Sequence, residues 1–256
     1  EVSALFINVG KADAALYLLG DQRFLIDTGT KDSYDQLERV LEAYGVQRLD
    51  GVLITHTDKD HVGGLKKLLK SGIAVDALYA GTLHSEKSLE DHPVYEAAEK
   101  YDVPLTWLSA GDVIDLGNGC TFQVLGPLSQ DDEDENNNSL VLRLLTPQGD
   151  MLLTGDMELE EENELIEAGL ISQAAVLKVA HHGRDDTTSR QFALLVRPQW
   201  AVISTSTAER PDTPSAKVLS YLRDARASVA VTQEAQVGIL ITLEGGQASA
   251  EAINWR

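Results

Sequence analysis

Four side chains that commonly bind metal ions lie within one short segment of this sequence. His56, Asp58, Asp60 and His61 follow the apolar run 52–54 within six residues. Clustered imidazoles and carboxylates lose hydration energy, and the carboxylates repel one another, unless a cation lies between them. An ordinary polar loop explains one such residue well, but four on one turn indicate a metal site.

A second segment of the same kind follows the apolar run 175–180, which ends in His181, His182 and Gly183. Adjacent histidines at a strand end are poor core residues and good site residues. Neighbouring side chains of a strand point in opposite directions, so one ring should bind metal and the other should meet substrate or donate a proton. We favour His182 as the ligand and His181 as the proton donor.

Single aspartates end two further apolar runs. Asp27 follows residues 23–26 and Asp156 follows residues 151–154. In α/β proteins, site residues collect at the carboxyl ends of strands. Either aspartate alone could be a turn or capping residue, so its assignment depends on the segment around His56.

Apolar runs and helical periodicity predict the elements that position these segments. In the helix predicted at 158–168, Leu159, Leu165 and Ile166 are expected to face inward. The predicted strands are 4–9, 15–19, 23–26, 52–54, 77–80, 105–108, 113–114, 121–125, 140–145, 151–154, 175–180, 200–204, 229–232 and 238–243. The other predicted helices are 33–44, 65–70, 88–101, 188–196 and 215–225.

Some polar residues outside these segments carry no site pattern. His84 and His92 each stand alone and are expected on the surface, although His92 could line the mouth of the site. The acidic run 131–135 is expected to be a solvated loop. Cys120, the single cysteine, lies in a strand pattern and is expected in the core.

The spacing His-x-Asp-x-Asp-His resembles the His-x-His-x-Asp-His signature of the metallo-β-lactamase superfamily, with Asp58 in place of the second His. This variant and the segment Leu-Lys-Val-Ala-His-His-Gly at 177–183 are typical of the branch similar to the soluble domain of the DNA-uptake competence protein ComEC. The resemblance extends over about residues 5–243. It implies an α/β fold, the four-layer αββα sandwich, as a single domain over residues 1–256.

The resemblance also implies two divalent metal ions, bridged by Asp156 and by a hydroxide that would act as the nucleophile. Asp60 would bind metal and orient the bridging water, so it is assigned as catalytic together with His181. Imidazole and carboxylate ligands without thiolate suit zinc first, with manganese and iron as alternatives. The metal ligands implied in this way are His56, Asp58, Asp60, His61, Asp156 and His182.

Further residues are expected around the ligands. The resemblance implies that Asp27 supports them through hydrogen bonds. Asp13 matches the family's aspartate after the first strand, and Ser204 ends a strand aimed at the same edge. Residues 136–138 stand where other members have a metal-binding His. Either the second metal site is weakened here, or Asn138 holds a substrate oxygen.

A phosphodiester is the substrate that the resemblance implies, either single-stranded DNA or a small phosphoester such as a choline-phosphate headgroup. The net charge of −20 argues against a broad nucleic-acid surface, and favours a small substrate or a strand delivered by a partner. The alternatives are hydrolysis of another ester or a lactam, and a metal-binding module without turnover. The missing third-motif His, Arg184 in place of Ser and Thr213 in place of His favour the last alternative.

Two features of the sequence bear on where the protein is located. No apolar run is long enough to cross a bilayer, so we expect no transmembrane segment. The sequence begins at Glu1 instead of an initiator Met. We therefore expect that an upstream segment was either cleaved or left out, which favours a secreted or cell-surface location, with a cytoplasmic one as the alternative.

Overall fold

Strands supply most of the regular structure and bring the predicted site segments together. A computed structural model describes residues 2–85 and 88–255. The strands within those residues are β1 (Val2–Ile7), β2 (Ala15–Leu19), β3 (Gln22–Ile26), β4 (Arg48–Leu49), β5 (Gly51–Ile54), β6 (Ala74–Val75), β7 (Leu78–Gly81), β8 (Leu105–Leu108), β9 (Val113–Asp115), β10 (Thr121–Gly126), β11 (Val141–Thr146), β12 (Gly149–Leu153), β13 (Val176–Lys178), β14 (Trp200–Ile203), β15 (Ser228–Val231), β16 (Gly238–Glu244) and β17 (Gln247–Ile253).

Helices connect the strands and cover the sheets. Short 3₁₀ turns occur at Leu89–Asp91, Glu135–Asn138, Ala180–Gly183 and Thr232–Glu234. The α-helices within the described residues are α1 (Tyr34–Ala43), α2 (Lys59–Val62), α3 (Leu65–Lys70), α4 (Pro93–Tyr101), α5 (Leu159–Glu167), α6 (Arg190–Val196) and α7 (Ala216–Asp224).

Two large mixed sheets are formed by the described residues. The first has the strand order β17-β16-β1-β2-β3-β5-β7-β8, and the second β15-β14-β13-β12-β11-β10-β9. Strands β3, β5, β7 and β8 run parallel, as do β12, β13, β14 and β15. The carboxyl ends of β3, β5, β12 and β13 precede the predicted site segments, so the parallel halves of the two sheets position the site.

Three hydrophobic clusters define four layers. Side chains from both sheets, including Phe6 and Phe122, form the cluster between them. The outer face of the first sheet packs on α1, α3 and α4, with Leu41 and Leu68 in that cluster. The outer face of the second sheet packs on α5, α6 and α7. The predicted αββα sandwich is therefore confirmed.

Helix α5 differs from its prediction. Leu165 is buried as expected, but Leu159 is 36% exposed, whereas Glu161 and Glu162 are buried. The helix begins at Leu159, so its inner face is shifted from the one inferred from hydrophobic positions. The prediction that Leu159 faces inward is wrong, because two glutamates occupy the inner face.

The segment predicted as one helix at 88–101 is divided in the structure. His92 separates the 3₁₀ turn from α4, and its Nδ1 accepts a hydrogen bond from Val94 N at 3.3 Å. The His92 ring is 2% exposed and packs edge-on against Trp107. The prediction that His92 is a surface residue is therefore wrong. Burial, followed by the charge of His84, lowers the pKa of His92 to about 4.

Candidate metal centre

The Asp156 carboxylate lies at the centre of four imidazole rings. Its Oδ2 is 3.1 Å from His61 Nε2, 3.3 Å from His182 Nε2, 3.7 Å from His181 Nε2 and 3.9 Å from His56 Nε2. All five side chains are at least 95% buried. A carboxylate oxygen that faces four ring nitrogens can bridge two cations. We refer to these five residues as the Asp156 centre.

Four ligand atoms gather on one side of this centre. Asp60, His61, Asp156 and His182 each offer an atom within 4.8 Å of the others. The shortest contact of Asp60 within this group joins its Oδ2 to His182 Nε2 at 3.2 Å. Two carboxylates and two imidazoles are a sufficient protein ligand set for one divalent ion.

Protonation in this group follows from the mixture of charges. Burial alone would raise the pKa of the Asp60 and Asp156 carboxyls, but the neighbouring His61 and His182 lower both well below the usual range. Burial would lower the pKa of the two rings, but Asp156 raises the pKa of His61 well above its usual value and that of His182 to about 9. A bound divalent ion would displace the protons that these rings hold.

His56 and Asp58 form a second group of possible ligands beside Asp156. His56 Nε2 is 3.8 Å from Asp58 Oδ2, and the Asp58 side chain is 47% exposed. Burial and the charge of His61 lower the pKa of His56, so its ring is poised to be a neutral ligand. This group has fewer protein ligands than the one around Asp60, and it is more open to solvent.

Buried atoms without partners indicate that these residues fit a metal. Within the described part of the chain, His56 Nε2, His61 Nε2 and Asp156 Oδ1 are buried and make no hydrogen bond of acceptable geometry. Buried polar atoms of this kind are costly unless something binds them. The two Nε2 atoms face Asp156 Oδ2, so one or two cations at the Asp156 centre would satisfy them.

Asp27 holds the ligand turn in place. Its Oδ1 accepts a hydrogen bond from Thr55 N, and its Oδ2 accepts from Thr55 Oγ1 and from His61 Nδ1, each at 2.8 Å. Asp27 adopts a positive φ of 59° to do so. With its Nδ1–H donated to Asp27, His61 would present the lone pair of Nε2 to the Asp156 centre once a bound ion displaces the second ring proton.

His182 is oriented in a similar way from the opposite sheet. Its Nδ1 donates to the backbone carbonyl of Ser204 at 2.8 Å, so Nε2 faces Asp60 and Asp156. Asp13 Oδ1 lies 3.7 Å from the same Nδ1, and Asp13 Oδ2 accepts from Lys178 Nζ at 2.7 Å. The structure thus places Ser204 and Asp13 behind His182, with Ser204 acting through its backbone.

The two adjacent histidines do not alternate as strand residues would. Strand β13 ends at Lys178, and both rings belong to the 3₁₀ turn, where φ is 46° at His181 and 58° at His182. Both Nε2 atoms consequently face Asp156. The expectation that the two rings point in opposite directions, as neighbours in a strand do, is therefore wrong. His182 nevertheless lies in the ligand group with Asp60, as predicted.

Asn138 is engaged away from the Asp156 centre. Its Oδ1 accepts from Asp131 N at 2.8 Å, and its Nδ2 donates to Asp131 O at 2.6 Å and to Glu135 Oε2 at 3.2 Å. These hydrogen bonds shape the 131–138 loop, and the contact of Asn138 with a substrate oxygen stays a prediction. Thr213 is also buried, and its Oγ1 donates to Arg210 O at 3.0 Å.

Three residues that sequence reasoning missed contact the site. Lys11 Nζ lies 2.6 Å from Asp60 Oδ2, and Glu158 Oε1 lies 3.1 Å from His181 Nδ1. Glu135, placed in a solvated loop by its acidic neighbours, accepts from Thr57 Oγ1 at 2.7 Å and fixes the turn after His56.

Residues 2–85 and 88–255 include no helix that combines the length and apolar character needed to cross a bilayer.

Comparison with known proteins connects this geometry to a family. A sequence model of the Metallo-beta-lactamase superfamily matches residues 7–206. ComE operon protein 3 of Bacillus subtilis (strain 168) is 32% identical over 252 residues, covering 91% of this chain and 32% of the relative. Competence protein ComA of Neisseria gonorrhoeae is 28% identical, covering 87% of this chain and 30% of the relative. The chain thus spans about a third of the length of these relatives.

Solved structures agree on the fold. Zn(2+)-bound PqqB from Methylobacterium extorquens aligns with a TM-score of 0.62 and 11% identity, covering 94% of this chain and 100% of that one. A diphosphatase from the PhnP family aligns with a TM-score of 0.55 and 12% identity, covering 94% and 98%. At such identities the likeness concerns the fold alone. The family match over residues 7–206 shows that the chain belongs to the metallo-β-lactamase superfamily.

Proposed function

We propose that this chain is a metal-dependent phosphodiesterase or nuclease-like hydrolase that acts at the Asp156 centre. The observation that carries the proposal is the convergence of four buried imidazoles on Asp156 Oδ2, at 3.1 to 3.9 Å. Such an arrangement is costly in a structural core and useful in a metallohydrolase. The superfamily to which the chain belongs consists mostly of metal-dependent hydrolases.

Two divalent ions are proposed, with zinc first and manganese or iron as alternatives. Asp60, His61 and His182 would hold one ion, His56 and Asp58 the other, and Asp156 would contact both. When bound, the ions would supply a hydroxide nucleophile at neutral pH and would bind the substrate's phosphoryl oxygens.

The chain's own side chains would prepare this reaction. Asp27 and the Ser204 carbonyl fix the rings of His61 and His182, so the ligand geometry exists before substrate binds. Asp60 would orient the attacking water. The Nε2 of His181 faces Asp156 Oδ2, and its Nδ1 lies beside Glu158. We propose that His181 donates a proton to the leaving oxygen of the substrate.

The substrate class is proposed from charge and from the relatives' names. One relative is named a competence protein, and another, Recombination protein 2 of Haemophilus influenzae (strain ATCC 51907 / DSM 11121 / KW20 / Rd), is named for recombination; both names favour DNA. The net charge of −20 favours a small phosphoester, or a single strand presented by another protein or domain.

A metal-binding module without turnover is the second candidate. The observation that favours it is the group around His56, where Asp58 is half exposed and Asn138 is engaged in its own loop. An incomplete second metal site would leave the first ion bound without a partner for catalysis.

Hydrolysis of bis-p-nitrophenyl phosphate, measured with metal content, tests the proposal. We expect the zinc- or manganese-loaded chain to hydrolyse it and Asp60→Asn to lose at least about 100-fold in kcat/KM. Asp32→Asn, which removes an exposed carboxylate, is the matched control. Equal activity in wild type and Asp60→Asn would end the two-metal mechanism. Full metal loading with no hydrolysis of this ester or of an oligonucleotide would support the binding module.

A further inference from the structure

A second group of possible ligands lies on the far side of the His181 ring from Asp156. Glu158, His181 and Asp186 each offer an atom within 4.8 Å of the other two. In the sequence, Glu158 closely follows Asp156, and Asp186 closely follows the turn that contains His181. None of the three belongs to the ligand set that the sequence predicted for the Asp156 centre.

Two buried atoms in this group make no well-aligned hydrogen bond. His181 is 4% exposed, and its Nδ1 lies 3.1 Å from Glu158 Oε1, but the contact does not have the alignment of a hydrogen bond. Asp186 Oδ1 is buried without a partner as well, while its Oδ2 accepts from Arg184 Nη2 at 2.7 Å. A simple imidazole–carboxylate pair would satisfy Nδ1, and it would leave Asp186 Oδ1 unexplained.

A strongly acidic cavity of about 450 Å³ opens beside these atoms. Such a volume holds about fifteen molecules of liquid water, so a partly hydrated cation fits. Glu158 and Asp186 belong both to the cavity wall and to the ligand group. The carboxylates in the wall are Asp131, Glu133, Asp134, Glu158, Glu160 and Asp186.

The charges of the wall attract a cation into the cavity. Arg184 supplies one positive charge beside Asp186, against six carboxylates. Burial and then the nearby Glu158 and Asp131 raise the pKa of Asp134, in keeping with this excess of negative charge. A divalent ion would reduce the repulsion among the carboxylates and would occupy the unpartnered atoms.

We propose that Glu158, His181 and Asp186 form a third divalent-cation site, which shares the His181 ring with the Asp156 centre and lies on the Nδ1 side of that ring. One imidazole and two carboxylates, completed by water from the cavity, suit Mn²⁺ or another first-row ion better than Ca²⁺, which prefers oxygen ligands alone. The site requires only these residues, so it stands whether or not the Asp156 centre is catalytic.

A cation at this place would also define the role of His181. If Nδ1 binds the ion, the neutral ring carries its proton on Nε2, which faces Asp156 Oδ2 at 3.7 Å. His181 would then be a donor towards the Asp156 centre and not one of its ligands. This consequence, unlike the site itself, rests on the proposed function.

Counting bound Mn²⁺ by equilibrium dialysis and atomic emission tests the site. We expect Asp186→Asn to bind one Mn²⁺ fewer per chain than wild type, and the exposed neighbour Asp185→Asn to bind as many as wild type. Glu158→Gln should lose the same equivalent as Asp186→Asn. Thermal unfolding of each metal-free variant would verify that it folds.

An Asp156→Asn background separates this site from the proposed function. The Asp156→Asn variant loses the carboxylate shared by the ligands of the Asp156 centre. It should still bind one Mn²⁺ per chain at the third site. The Asp156→Asn, Asp186→Asn double variant should lose that ion as well. In crystals, an anomalous peak at the manganese edge should lie between Glu158, His181 and Asp186. Equal Mn²⁺ counts in wild type, Asp186→Asn and Glu158→Gln, or the absence of that peak, would overturn the proposal.

Discussion

Lys11 is the positive charge in contact with the proposed ligand Asp60. Its Nζ lies 2.6 Å from Asp60 Oδ2, and Asp60 Oδ2 lies 3.2 Å from His182 Nε2. The Lys11 side chain is 25% exposed, so it also borders solvent. A metal ion that binds Asp60 must therefore share the carboxylate with an ammonium group or displace it.

Replacing Lys11 should consequently strengthen metal binding. We expect Lys11→Gln to bind Zn²⁺ or Mn²⁺ about tenfold more tightly, a change of about 1.4 kcal/mol, because a repelling charge next to the ion is gone. Competition with a chromophoric chelator measures this affinity. Lys59→Gln removes an exposed lysine next to Asp60 in the sequence, and it should leave the metal affinity unchanged. Weaker binding by Lys11→Gln would mean that Lys11 holds Asp60 in its ligating position.

The residues that sequence reasoning found and missed differ in chemical type. The structure gathers His56, Asp60, His61, Asp156 and His182 in one place. The histidines and Asp60 stand out in the sequence because they cluster at the ends of apolar runs, and Asp156 is assigned through the family resemblance. Lysine and glutamate are ordinary surface residues, so Lys11 and Glu158 gave no comparable signal. Lys11 and Glu158 have roles only because the fold brings them to their partners Asp60 and His181. A sequence pattern does not show such contacts.

At the scale of elements, α5 places carboxylates where a helix usually buries apolar groups. Glu161 is 3% exposed, both its carboxyl oxygens are buried without partners, and a Cβ added to Gly126 would lie 2.9 Å from Glu161 Oε1. Burial, assisted by the charge of Glu164, raises the pKa of Glu161 well above 4.5. The Glu161 carboxyl is therefore protonated in the folded chain at pH values where it ionises in the unfolded chain.

Stability should fall with rising pH because of this single group. Between pH 4.5 and the raised pKa of Glu161, the folded chain holds a proton that the unfolded chain has released. Glu161→Gln removes that difference. The free energy of unfolding of Glu161→Gln should therefore gain on wild type by up to about 1.4 kcal/mol per pH unit across this window.

Urea unfolding of metal-free protein at several pH values would measure the difference. Chelator is included, since metal binding has its own pH dependence. Glu167→Gln, exposed on the same helix, removes one carboxylate without a buried proton and is the control. A constant difference between Glu161→Gln and wild type from pH 4.5 to pH 8 would contradict the prediction.

Most strands lie where apolar runs predicted them, and the departures have local physical causes. The run 175–180 is shortened to β13 because the turn that follows takes positive φ at both histidines. Helix α4 begins at Pro93, whose missing N–H suits a first helical position, and His92 caps it. Hydrophobic pattern alone marks neither event, since each depends on backbone geometry or on a side chain that bonds to the backbone.

For the whole molecule, the sandwich was predicted through family resemblance and not through periodicity. The sequence pattern gives strands and helices, but it does not give the order of strands in the two sheets. That order brings β3, β5, β12 and β13 to one edge, where strand ends separated by more than 120 residues meet around Asp156. The shared cluster between the sheets then fixes the distance between the two sets of ligands.

The overall charge gives a last prediction that concerns substrate access. At −20, the chain repels a polyanion over about a Debye length, roughly 30 Å at 0.01 M salt and roughly 8 Å at 0.15 M. Added salt shortens that range and should speed the encounter with an oligonucleotide. Proteins with a basic nucleic-acid surface show the opposite, because salt weakens their binding.

We therefore expect kcat/KM for a single-stranded oligonucleotide to rise several-fold when NaCl increases from about 10 to about 150 mM, at saturating metal. Bis-p-nitrophenyl phosphate, with one negative charge, should change much less and serves as the control for effects of salt on the site. A value for the oligonucleotide that falls steeply with salt would contradict the expectation. It would show a local basic track that guides the strand in spite of the net charge, and a strand would then be the better substrate for this chain alone.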